Sequence, residues 1–130
     1  MAGFTDYLED KVLEHVFGGN AYSAPSTLYV ALYTVAPTDT GGGTEVSGGA
    51  YARQSAAFTV SGTNPTQASN SAAIEYPTAT ANYGTVVAVG VFDALTSGNL
   101  LAYANLTASK VVSTGDVFRF NAGDLDVTLA

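Results

Sequence analysis

The chain has 130 residues, 47% hydrophobic and only 12% charged, with 14 Gly, no Cys, no Trp and a formal net charge of −7 at pH 7. That length is one domain, able to bury roughly two-thirds of the surface its unfolded form exposes, and the missing cysteine removes disulfides and cysteine-based zinc sites. Four scattered cations, Lys11, Arg53, Lys110 and Arg119, against eleven carboxylates leave no basic patch, which excludes nucleic acid and an anionic membrane surface as partners.

The chain opens Met-Ala-Gly-Phe-Thr-Asp, without the basic and then apolar regions of a secretory signal, so synthesis in a cytosol is expected. No apolar run approaches the roughly 18 residues of a membrane span. Residues 4–17, FTDYLEDKVLEHVF, carry helical periodicity. Phe4, Leu8, Val12 and Val16 recur every fourth residue on one ridge, and Leu13 with Phe17 forms a second ridge beside it. Asp6-x-x-Glu9 reads as a capping box with Asp6 as N-cap, and Gly18-Gly19 as the stop. Two ridges on one short helix mean one of two things: contact on two sides, the second with a neighbouring subunit, or a helix laid over one curved sheet.

Residues 26–130 read as strands and turns. STLYVALYTV (26–35) is a nearly continuous apolar run, the pattern of a strand buried on both faces. YARQSAAFTV (51–60), AAIEY (72–76), TVVAVGVF (85–92), NLLAYANL (99–106), SKVVS (109–113) and DVFRFN (116–121) follow. In DLDVTL (124–129), Leu125, Val127 and Leu129 alternate with Asp124, Asp126 and Thr128, which predicts one packed and one wet face. Pro37, Gly41-Gly42-Gly43, Gly48-Gly49, Asn64-Pro65, Pro77, Ser97-Gly98-Asn99, Thr114-Gly115 and Ala122-Gly123 supply the turns. The expectation is a single, mainly β domain over 1–130, an antiparallel β-sandwich or jelly roll of about eight short strands behind one N-terminal α-helix. Two Gly, Ser, Thr and Asn-rich stretches, 36–50 and 61–71, read as long loops: functional, disordered or ordered by partner chains.

No set of residues carries an enzyme's chemistry. His15 is the only histidine and reads as a solvated helix-end residue, since no G-x-S-x-G elbow supplies a serine for it. Asp124-x-Asp126 offers too few ligands for calcium and reads as the wet face of a strand. Glu75 and Asp93 are candidate paired carboxylates for glycoside hydrolysis, and hydration of turns and strand ends is the plainer reading. Most of the aromatics sit in strand patterns as core, whereas Tyr22, Tyr51 and Tyr83 lie near turns, where exposure would suit sugar binding. Arg53 and Arg119 are expected to leave the core and pair with carboxylates, open to be a neighbour's. A charged fraction near half the roughly 25% of an average soluble domain points the same way, towards a surface partly covered by other copies. Catalytic, cofactor and metal residues are therefore expected to be none. The candidate docking or oligomer interface is Phe4, Leu8, Val12, Leu13, Val16, Phe17, Arg53 and Arg119.

Taken together, FTDYLEDKVLEHVFGGNAY, STLYVALYTVAPT, GTEVSGGAYARQ, SNSAAIEYPTATANYGTVVAVGVFDA, SGNLLAYANLTASKVVSTGD and FNAGDLDVTL resemble, in that order, the short virion proteins of tailed bacteriophages commonly labelled tail fibre proteins. The resemblance implies a non-enzymatic structural protein of the virion, assembled in the bacterial cytoplasm. It implies a tail or neck fibre-like part that forms a homo-oligomer and docks on another virion protein of tail, neck or capsid. A capsid decoration protein and a host-surface carbohydrate-binding adhesin are the alternatives, and no residue pattern supports a glycan partner. On this reading residues 4–17 serve docking or subunit packing, and the loops 36–50 and 61–71 reach neighbours or face outward.

Overall fold

A computed structural model describes residues 3–63 and 65–129. In chain order the elements are β1 (Gly3–Phe4), α1 (Asp6–Val16), β2 (Leu28–Val35), β3 (Thr44–Glu45), β4 (Gln54–Ala56), β5 (Phe58–Ser61), β6 (Thr66–Asn70), β7 (Ile74–Glu75), β8 (Gly84–Phe92), β9 (Leu100–Val112), β10 (Arg119–Phe120) and β11 (Asp126–Leu129). Every strand pairing is antiparallel. One layer runs β1-β9-β8-β2-β3, with β4 also on β2; the other holds β11-β6-β5 and the pair β10-β7. The molecule is thus a mainly β sandwich with one helix near its N-terminus, as the sequence predicts.

The run at 26–35 behaves as its composition requires. Val30 and Leu32 point between the layers, where they join Ile74, Tyr76, Val86 and Val89 in the main core. Ala31 and Tyr33 alternate onto the other face, in a smaller cluster with Ala88, Phe92 and Leu100. A strand covered on both faces cannot afford polar side chains, which is why this stretch carries none between Leu28 and Leu32 except the Tyr29 hydroxyl. Tyr76 sits at the centre, 1% exposed; its hydroxyl donates to Val30 O at 2.7 Å.

Several boundaries differ from expectation, each for a tertiary reason. The helix begins at residue 6 and not at residue 4, because Gly3 and Phe4 pair with Tyr103 and Ala102 of β9. Thr5 is the N-cap in place of Asp6. Its Oγ1 donates to Leu100 O at 2.6 Å and accepts from the Leu8 N–H at 3.4 Å, so one buried hydroxyl fastens helix and sheet together. The stop at Gly18-Gly19 stands, with the Gly18 N–H on Glu14 O and Gly19 at φ +77°.

The stretch 51–60 divides at Ala57, β4 lying in one layer and β5 in the other. The expected strands 99–106 and 109–113 are one strand, β9, with a wide bulge. Ala88 lies opposite Asn105 and Val86 opposite Lys110, so residues 106–109 face Val87 alone. The loop expected at 61–71 contains β6, and the loop at 36–50 contains β3. TQASN shows no apolar alternation, and its strand state comes from ladders on both sides, to β5 and β11. On β11 Leu125 precedes the strand buried and Val127 packs against the core; the side chain of Leu129, like Asn64 of the expected Asn64-Pro65 turn, lies outside the described residues.

Candidate functional site

The outward side of α1 is the clearest surface that the fold leaves unspent. Phe4, Leu8 and Val12 are half-buried on the β9 side. Val16, of the same ridge, is 62% exposed, and the second ridge is open, with Leu13 at 58% and Phe17 at 82%. Thr5 holds the helix to the sheet at its N-terminal end only, so the last turn presents three large apolar side chains to solvent. Glu9 and Asp10 are exposed beside them and Glu14 is half-buried, which gives the patch an acidic surround. The chain leaving the helix folds back on it: Asn20 Nδ2 donates to Glu14 Oε2, and the Tyr22 N–H donates to His15 Nδ1 at 3.1 Å. His15 is therefore exposed as expected, but its Nδ1 is occupied as an acceptor.

Arg53 occupies a different setting. β3 and β4 lie one after the other along the same edge of β2, and this brings Glu45 beside Arg53. The guanidinium grips the carboxylate with two parallel bonds, Nε to Oε2 and Nη2 to Oε1, both at 2.9 Å. Nη1 donates to Ala94 O at 2.9 Å and Ser97 O at 2.8 Å, and the guanidinium carbon lies 3.6 Å from the centre of the Phe92 ring. Tyr51 completes the group: its hydroxyl donates to Glu45 Oε2 at 2.7 Å and accepts from the Leu32 N–H at 3.0 Å. Burial works to lower the Arg53 pKa, and the Glu45 pairing more than reverses it, leaving the group raised. Burial first, and the bond to Glu45 second, push the Tyr51 phenol far up. With its side chain 8% exposed, Arg53 meets a carboxylate of its own chain and clamps the loops at 45–53 and 93–99 onto the sheet.

Arg119 pairs across strands with Glu75 at 3.1 Å, both side chains more than half exposed, and its Nε donates to Asn121 Oδ1 at 3.2 Å. The eight candidate residues are thus not one surface. The helix residues share an element, Arg53 is packed under its own loops, and Arg119 lies on the second layer.

Glu75, Asp93, Asp124 and Asp126 are each engaged in an intrachain bond. Glu75 holds Arg119, and Asp93 closes the turn before β9 by accepting from the Asn99 N–H at 2.7 Å and Asn99 Nδ2 at 3.0 Å. Asp124 Oδ2 accepts from the Asn121 N–H at 3.0 Å, and Asp126 accepts from Ser69 Oγ. No three metal-ligating side chains converge among the described residues, and no described helix is long and apolar enough to cross a membrane. Of Tyr51 and Tyr83, expected near turns where exposure would suit sugar binding, Tyr83 is buried and Tyr51 is half-buried against the core. Tyr51 stacks on Tyr76 at 6.0 Å and meets Tyr83 edge-on at 5.8 Å; the Tyr51 hydroxyl is held by Glu45 and the Leu32 N–H, and the Tyr83 N–H donates to Val112 O at 2.9 Å. Tyr22 is half-buried, and its hydroxyl has no partner among the described residues. A cleft of about 490 Å³ between α1 and the 39–42 turn has Tyr33 and Phe92 at its floor and Asp6 and Asp39 at its rim. Asp39 Oδ1 is taken by the Tyr103 hydroxyl at 2.6 Å, and Tyr33 is pushed up to about 12, chiefly by burial.

Three structural residues carry more than the sequence suggested. Thr5 and Asn70 are two buried polar residues, 1% and 2% exposed. Asn70 Nδ2 donates to Ala72 O and Asn121 O, and its Oδ1 accepts from the Leu125 N–H, each at 2.9 Å. It thereby joins β6 to the segment between β10 and β11. Glu45 is the third, and its one available signal was being the nearest acid to a strand arginine. A family model described as Podophage GP4 fiber I protein gp80 matches residues 3–128. No curated protein matches the chain.

Proposed function

This chain belongs to the family of the podophage GP4 fiber I protein gp80, and on that premise we propose that it is a tail or neck fibre-like part that assembles with its own copies and docks on another virion protein through the outward face of α1. The family makes it a structural, virion-associated phage fibre component; the docking assignment is carried by the exposure of Leu13, Val16 and Phe17. Fully burying an exposed side chain of that size gains roughly 1.5–3 kcal/mol, so three on one helical turn contribute favourably to a contact that covers them. The role proposed is non-enzymatic, in keeping with Glu75, Asp93 and Asp126 each being engaged in an intrachain bond.

Removing residues 1–19 would be a poor test, because β1 and Thr5 are part of the sheet edge. Leu13→Ser combined with Phe17→Ser spares both. The variant is expected to unfold at the wild-type temperature and to be incorporated into particles at least tenfold less. Wild-type incorporation would reject α1 as the docking face.

A further inference from the structure

Sheet edges in this molecule are protected unequally. β9 has β1 over its first part, then the 106–109 bulge and Lys110. β3 carries Glu45, Asp124 precedes β11 and Asp126 begins it. β5 has none of these devices: residues 54–63, QSAAFTVSGT, hold no charge and no proline. β5 ends the β11-β6-β5 sheet, and no described strand pairs with its outer side. The Ser71 N–H donates to Ala57 O at 2.9 Å. By the alternation of an antiparallel ladder, Ala57, Thr59 and Ser61 then bond towards β6, and Phe58 and Val60 turn their N–H and C=O groups outward.

Beside this edge the two layers part in an apolar groove of about 650 Å³, lined by Leu8, Leu28, Phe58, Val60, Leu101 and Val127 among others, with no charged residue in its walls. Val60 is 68% exposed there. Four other clefts carry carboxylates: Asp6 and Asp39, Asp124 and Asp126, Asp10 and Glu14, or Glu45.

We propose that the outer edge of β5 and this groove are the contact between two copies of the chain, their β5 strands pairing antiparallel about a twofold axis at Thr59. The proposal rests on the self-assembly reading above and names its surface. Charge selects the occupant. Two copies each carry −7, so they meet at least cost where neither brings a carboxylate, whereas a basic partner is drawn to the acidic surround of α1. In this register Phe58 bonds to Val60 of the second copy and Val60 to its Phe58, joining two three-stranded sheets into one of six strands. The two Thr59 residues form a non-hydrogen-bonded pair, with Cα atoms about 4.5 Å apart.

Sedimentation and light scattering on wild type, Val60→Lys and Phe17→Lys give the first readout. Wild type is expected at twice the chain mass or a multiple of it, Val60→Lys at half the wild-type mass, and Phe17→Lys unchanged. Oxidation of Thr59→Cys, in a chain with no native cysteine, gives the second, independent of whether Val60→Lys folds. It is expected to yield a covalent dimer that Ser113→Cys does not. A wild type of single-chain mass at every concentration overturns self-assembly and this contact together. An oligomer that survives Val60→Lys, or that Phe17→Lys dissolves, with Thr59→Cys uncrosslinked, leaves self-assembly standing and overturns the β5 assignment alone.

Discussion

Replacing Arg53 with alanine removes four hydrogen bonds and the cover over Phe92 in one step. Glu45 keeps only the Tyr51 hydroxyl, and Ala94 O and Ser97 O lose their shared donor. Breaking a fully buried ion pair costs about 3–5 kcal/mol, because the remaining charge stays desolvated. Here the Arg53 side chain is 8% exposed but Glu45 is 25% exposed. Water can therefore reach the orphaned carboxylate, and the lower end, about 3 kcal/mol, is expected. With an unfolding entropy near 2.1 cal/mol/K per residue, that lowers the midpoint of a 130-residue chain by about 11 °C. Glu45→Ala should cost a similar amount, and the double variant less than the sum, with a coupling energy of about 2 kcal/mol. Arg119→Ala is the internal control: its pair with Glu75 is more than half exposed, so stability should stay within about 0.5 kcal/mol of wild type. Urea titrations of the four variants against wild type measure all of these. An Arg53→Ala cost under about 1 kcal/mol with coupling below about 0.5 kcal/mol would refute the clamp, reducing it to an ordinary surface pair.

Asn70→Ala strands the Leu125 N–H, Ala72 O and Asn121 O in a site where Asn70 is 2% exposed. A loss of about 3 kcal/mol in chemical denaturation is expected, with faster amide exchange at 121–125; a loss under about 1 kcal/mol would mean that water replaces the amide. Burial also holds the Tyr76 phenol well above the ordinary value of 10.0, aided by Tyr51 and Glu45, and holds Tyr51 far up as well. A folded state that keeps these protons longer than the unfolded chain is fully stabilised below about pH 10 and loses stability as pH rises from there towards the folded values. Denaturation midpoints should therefore be level from pH 7 to about 9.5 and fall steeply above 10. Tyr76→Phe should start about 1 kcal/mol lower for its lost bond to Val30 O and fall less steeply. An identical alkaline slope in both proteins would contradict this account.

What can be read without coordinates is what is local. The apolar run of 26–35 announces a strand covered on both faces, the i, i+4 ridges announce α1, and Gly18-Gly19 marks its end, since periodicity and backbone freedom are properties of neighbouring residues. The scarcity of charge is legible in the composition, but not where on the surface it leaves an uncharged face. Thr5 overrides Asp6 as the cap because its hydroxyl reaches Leu100 O, 95 residues away. β6 is a strand without a strand's pattern because β5 and β11 flank it and Asn70 binds the Leu125 N–H, 55 residues on. Arg53 turns inward because two short strands share one edge of β2 and deliver Glu45 to it. The amino-acid sequence by itself determined the class of fold, the helix and the kind of family. The tertiary structure alone decided which polar side chains are buried and satisfied, and which apolar ones, Phe17 and Val60 foremost, are left facing outward. A side chain's burial depends on what distant strands place over it, and no local pattern encodes that.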